Sequence, residues 1–352
     1  MIKRLLLITT ISTLILSCVS AQTNVVSGVM RGKDYGVVYM LPKSVLQIKV
    51  NAEKITYHPG EFSQYAERYL HMSNSKSEAE VKWALKSIEV NSIGVNNPEE
   101  TFFIKMKDKS VAPLVELTPE GLIKSINCPY TPKPKVESSH TTSVKSIDPR
   151  EFLTEEILLA NSTAKMAELV AREIYTIRES RNALLRGQAD NMPQDGKQLK
   201  LMLDNLEEQE RAMTSMFTGK VSKEEKSYIF QLEPKEYNKE VVFRFSTVYG
   251  VLEKDNLAGE PIYLDMKDQK IIPENEEKGK KKTVGIAYNV PGKAEVTVYT
   301  SSTPIYKGEL LITQFGTQEF LAPTLFNKKS TIQVVFDPNT GGLLNIDQED
   351  TN

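Results

Sequence analysis

The chain has 352 residues, with 44 Lys+Arg against 46 Asp+Glu, two Cys, three His and a single Trp. A formal charge of −2 leaves no basic footprint for nucleic acid, and 40% apolar with 26% charged residues excludes a disordered chain. So few Cys and His put a Cys/His zinc cage almost out of reach, and neither metal nor cofactor is expected.

Residues 1–21, MIKRLLLITTISTLILSCVSA, read as an export signal. Lys3 and Arg4 form a positive n-region, Leu5 to Leu16 an apolar h-region, and Val19-Ser20-Ala21 a small-residue cleavage site before Gln22. The apolar run is short for a bilayer span, which takes about 20 residues, so the mature chain is expected to hold no transmembrane segment. Ile15-Leu16-Ser17-Cys18 also resembles a lipobox, and the alternative to cleavage between Ala21 and Gln22 is a lipid anchor on Cys18. Cleavage after Ala21 leaves Cys128 as the single mature cysteine. In Ile126-Asn127-Cys128-Pro129 it reads as a small hydrophobe at a strand end rather than a nucleophile.

Residues 22–128 are expected to form a β-rich N-terminal domain. Leu46, Ile48, Val50 and Ala52 alternate with polar neighbours, as do Phe102, Ile104 and Met106, a period of two with one wet face. Around Trp83 the phase slips: Trp83 and Leu85 point one way, Ile88 and Val90 the other, which predicts a bulge. Trp83 itself is read as core. Gly60 to His71 is expected as one helix, with Phe62, Tyr65, Ala66 and Tyr69 covering the sheet. Residues 129–149, PYTPKPKVESSHTTSVKSIDP, form a Pro/Ser/Thr-rich linker.

Residues 150–219 change to helical spacing. Ile157, Ala160, Ala164, Ala167, Ala171 and Ile174 predict one helix to Arg186, ended by Gly187. After the turn GQADNMPQDG, Asp195 or Gly196 caps a second helix with Leu199, Leu203, Leu206, Met213 and Phe217 at heptad spacing, broken by Glu210. Joined by a short loop, the two must pack antiparallel. Their charged faces, Glu210 included, read as solvated surface. Residues 220–348 return to a period of two in Tyr228-Phe230-Leu232, Val241-Phe243-Phe245, Ile262-Leu264-Met266, Ala294-Val296-Val298 and Ile332-Val334-Phe336. Turn signals at Val290-Pro291-Gly292 and Asp337-Pro338-Asn339-Thr340-Gly341 separate strands, and a C-terminal antiparallel β-sandwich is expected. Residues 267–283 read as a charged, solvated hairpin tip. The fold class is α+β.

Several segments are familiar. YGVVYMLPKSVLQIKV from Tyr35, YHPGEFSQYAERYL from Tyr57, LTPEG from Leu117 and DNMPQDGKQLKLMLDNLEEQE from Asp190 resemble an exported bacterial family, domain of unknown function 4831. FTGK, VVFRFS, DNLAGEPIYLDM and QFG, at Phe217, Val241, Asp255 and Gln314, continue the resemblance. It implies export in Gram-negative anaerobes and carries no activity, ligand or catalytic residue.

Catalytic signatures such as GxSxG, HExxH, GxGxxG, a P-loop or CxxC are absent from the sequence. His58 reads as a turn residue before Pro59-Gly60, His71 as a helix end and His140 as linker, three contexts that share no metal site. Asp265, Asp268, Glu116 and Glu120 end strands and are the candidates for a glycosidase-type acid pair. Asn161-Ser162-Thr163 fits a glycosylation sequon but is expected mid-helix. The sequence therefore points to a non-enzymatic exported envelope protein with a binding or structural role. Its hairpin would engage a protein or glycan partner, or a second copy. The alternative is a periplasmic hydrolase of glycan or peptide with an acidic pair between the β domains.

Overall fold

The computed structural model describes residues 36–105, 115–131, 148–193, 195–272, 285–301, 303–322, 325 and 330–350. The signal segment with Cys18, Ala21 and Gln22, most of the linker with His140, and residues 273–283 of the charged loop lie outside them.

The fold is α+β, with antiparallel sheets and a helical layer. Alternating side chains build β1 (Gly36–His58), which pairs with β2 (Glu80–Lys105) along nearly its whole length, from Gly36↔Lys105 to Tyr57↔Glu80. The bulge anticipated near Trp83 falls where Asn51↔Ser87 passes to Ala52↔Leu85, with Lys86 as the extra residue. On its other side β1 takes β5 (Lys220–Leu232), from Leu46↔Leu232 to His58↔Lys220. A five-stranded sheet joins β6 (Tyr237–Ser246), β7 (Gly250–Leu252), β8 (Glu260–Asp268), β9 (Ile286–Tyr299) and β10 (Pro304–Leu321), in the order β10-β9-β8-β6-β7. The third sheet has the order β12-β11-β4-β3, from β3 (Val115–Leu117), β4 (Ile123–Ile126), β11 (Ser330–Phe336) and β12 (Leu343–Asp350).

The segments 22–128 and 220–348 thus share sheets rather than standing apart as two β units. One core packs Leu46, Ile48 and Val50 of β1 against Phe243, Leu264, Val296 and Val298 of the C-terminal strands. A second packs Val37, Tyr39 and Leu41 with Ile123, Ile126, Ala287, Val334 and Phe336. The hairpins β1–β2 and β9–β10 run through both cores and change register where they pass between them, at Met40/Pro42 and Ile312/Thr317. Leu41 is skipped there, and Pro42, which has no N–H for the ladder, resumes the register opposite Asn96. Val290-Pro291-Gly292 is therefore a kink inside β9, not a turn between strands. The chain can bend without reversing because residues 313–316 of β10 bulge opposite Pro291. Ser44 N donates to Thr313 Oγ1 at 2.8 Å, Thr313 N donates back to Ser44 Oγ at 3.0 Å, and both ends of the joint are thereby satisfied. Trp83 is half-buried on the edge strand β2, packed on Gly250 and beneath the Lys226 ammonium, rather than in the core.

The helices form a separate layer with their own core. Gly60–His71 is not one helix: a 3-10 turn at Ser63–Tyr65 leads into α1 (Ala66–Leu70). Phe62, Ala66 and Leu70 pack on the helical hairpin, not on the sheet. The helix expected from Ile157 to Arg186 is likewise broken into α2 (Glu155–Leu158) and α3 (Thr163–Arg186), because the Ser162 hydroxyl caps a new start by accepting from Lys165 N at 3.2 Å. Asn161 of the sequon thus lies before the helix, exposed.

Candidate functional site

α3 ends on Gly187, whose φ of +68° suits glycine, and Asp195 caps α4 (Gly196–Thr218) by accepting from Gln198 N at 2.7 Å. The loop between them is short and the helices run antiparallel. Glu210, the residue that breaks the α4 heptad, is not solvated: its side chain is 14% exposed and accepts from Arg178 Nε and Arg181 Nη1, each at 2.7 Å. At the base of the hairpin, Ile174 of α3 and Met213 of α4 are 0% and 1% exposed. They share a core with Phe62 and Leu70, and Phe62 meets Phe217 with ring centroids 5.4 Å apart.

Eleven residues is three helical turns, so a side chain returns to nearly the same line on the helix. Counting eleven from Ile174 toward the tip reaches Leu185; counting eleven back from Met213 reaches Met202. The same two stripes therefore carry an apolar pair about 16 Å further out, and here the residues are 62% and 40% exposed. Met192 and Leu201 are exposed beside them in the chain. The base pair is covered by α1 and its preceding turn; the tip pair has no such cover among the described residues. Sequence reasoning passed over Leu185 and Met202. The eleven-residue spacing from Ile174 and Met213 is the signal that would have found them.

Where the hairpin meets the sheets, His58, Glu61, Asp148, Arg150, Ser215 and Gly219 line an open notch of about 210 Å³. Its groups already serve one another. Arg150 Nη2 binds Glu61 Oε2 at 3.2 Å, Asp148 accepts from Arg150 N at 3.0 Å, and His58 Nε2 lies 3.3 Å from Ser222 Oγ. Gly60 is required there: a Cβ on it would stand 2.2 Å from the Met216 carbonyl oxygen, which accepts from Phe62 N.

The sequence candidates are dispersed. His58 ends β1, and His71 caps α1 in the left-handed region at φ 54°. Cys128 is 8% exposed, with Sγ 3.6 Å from the Val334 carbonyl oxygen, and burial pushes its thiol up. Asp265 and Asp268 belong to β8 in the five-stranded sheet. Glu116 is on β3 in another sheet and Glu120 in the turn after it. Three of these carboxylates are engaged by near neighbours. Asp265 accepts from Lys239 N and Tyr299 Oη, Asp268 from Lys270 N, and Glu116 from Tyr130 N. At Glu120 it is the backbone carbonyl oxygen that accepts, from the Asn96 side chain. None of the four lines the notch. Among the described residues, no group of three or more His, Cys, Asp or Glu is placed to hold a metal ion, and no helix is long and apolar enough to cross a membrane.

Residues 35–344 match the family described as Domain of unknown function (DUF4831). The chain belongs to that family. No curated protein and no solved structure matches it. Membership in DUF4831 brings no assigned activity.

Proposed function

We propose that the protein works in the cell envelope after export, as a non-enzymatic binding protein whose helical hairpin is the contact element. The supporting observation is the contrast between Ile174–Met213, sealed under Phe62, and Leu185–Met202, the same stripe left open three turns away. A third helix laid on that stripe would remove apolar surface from water, the driving force of most association. In this reading, cleavage between Ala21 and Gln22 releases the mature chain, with lipidation of Cys18 as the alternative. The acidic-pair hydrolase gains no support from Asp265 and Asp268 on β8, Glu116 on β3 and Glu120 in the turn after β3, none of which lines the notch.

A photo-crosslinking amino acid placed at Leu185 or at Met202 in intact cells tests this reading. A discrete adduct from both positions, absent from a probe at exposed Glu179, is expected; mass spectrometry then tells a foreign partner from a second copy. Equal background at all three sites would overturn it. Intact mass of the purified protein tests export: a chain beginning at Gln22, or a lipidated Cys18, is expected, and an intact Met1 terminus would refute it.

A further inference from the structure

We infer that the outer face of the five-stranded sheet is a binding platform for a neutral polysaccharide. The face is separate from the hairpin and does not depend on it. Tyr263 on β8 is directly opposite Tyr299 on β9, their ring centroids 5.5 Å apart and tilted by 31°. Their strand neighbours Ile262, Leu264 and Val298 are buried in the core, so the alternation turns both rings outward. Val241 on β6 is opposite Tyr263 and Pro304 on β10 is opposite Tyr299. Four adjacent strands thus contribute one apolar row, about 14 Å long at the usual strand spacing.

A polar row runs beside it. Asp265 is opposite Thr297, and Thr297 is opposite Lys307. Asp265 Oδ1 takes Lys239 N at 2.6 Å and Tyr299 Oη at 3.2 Å, while Oδ2 has no partner among the described residues. Lys239, a non-glycine residue at φ 54°, brings its ammonium to 5.3 Å from the centroid of the half-buried Tyr263, over one face of that ring. Residues in this left-handed region are disfavoured unless the surroundings hold them there.

A pyranose ring has an apolar C–H face and a rim of hydroxyls. The aromatic row offers surface for the first, and Asp265, Thr297 and Lys239 offer acceptors and donors for the second. The charges nearly balance in number: Lys239 and Lys307 stand against Asp265 and Glu295, and Lys307 is tied to Glu295 at 2.6 Å. That balance favours an uncharged glycan over an acidic one. The shallow, extended geometry fits a polymer lying across strands rather than a small molecule in a cleft.

Affinity electrophoresis of the full mature protein through gels containing laminarin, dextran or galactomannan tests the inference. Alginate serves as the acidic control. Retardation by at least one neutral polymer is expected, weakened at least tenfold by Tyr263→Ala or Tyr299→Ala and largely kept by Tyr263→Phe. Far-UV circular dichroism and thermal midpoint check that the variants remain folded. No retardation by any neutral polymer, retardation by alginate alone, or retardation unchanged in both alanine variants would overturn it. The hairpin reading is unaffected by any of these results, because its crosslinks are read at Leu185 and Met202.

Discussion

Arg178 on α3 donates from Nε to Glu210 on α4 at 2.7 Å, and the second carboxylate oxygen is held by Arg181 at the same distance. A charge at a heptad core position thereby becomes a clamp between the helices. Removing the carboxylate leaves two guanidinium groups against each other, whereas an apolar side chain restores the heptad. Glu210→Ala is expected to cost about 1–3 kcal/mol and Glu210→Leu less, both read by urea unfolding. Equal losses in the two variants would refute the clamp.

The approach of α4 to the end of β1 depends on a missing side chain at Gly60. A Cβ there would stand 2.2 Å from a backbone oxygen that cannot rotate away. Gly60→Ala is expected to destabilise by about 2–4 kcal/mol and to lower the thermal midpoint, with a larger loss than Gly187→Ala at the helix C-cap, where a Cβ would meet nothing within 4 Å.

Strand pairing across the chain makes the N-terminal segment dependent on the C-terminal one. A fragment of residues 22–128 lacks β5 beside β1 and Phe243, Leu264 and Val298 over its core. It is expected to show no dispersed amide spectrum on its own. Mixing it with a 148–352 fragment should recover β structure if both fold on contact.

The thiol of Cys128 is buried and its ionisation disfavoured. In the mature chain it is expected to resist Ellman's reagent at pH 8 until guanidinium is added, when it should react in full. Rapid reaction of native protein would show that the chain opens locally where Cys128 packs on Val334 of β11.

Glu80 is held at about 2 by hydrogen bonds from the Lys76 and Lys82 ammonium groups. A carboxyl whose pKa is lower folded than unfolded, where about 4.3 is usual, favours the folded state at neutral pH. That contribution is lost as pH falls from about 5 toward 2. Glu80→Gln should therefore be slightly less stable than the parent at pH 7, and the difference should vanish near pH 2. A gap that persists at low pH would mean the substitution acts through packing.

Periodicity along the chain is a local property, and what depends on it alone was legible. Leu46 to Ala52 alternate because β1 has one buried face, Asp195 caps α4 because its carboxylate reaches Gln198 N, and the slip near Trp83 marks a real bulge. The same patterns are silent about which surface does the burying. That β1 pairs with β5, that Phe62 meets Phe217 instead of the sheet, and that Glu210 finds Arg178 and Arg181 were decided only in three dimensions. Tyr263 and Tyr299 carry no local mark either. Each is one outward residue in its own strand, and they become a row only when β8 and β9 are zipped in register. Hydrogen-bond ladders and shared cores join residues far apart in the chain, and their energy depends on partners that no single stretch of sequence contains.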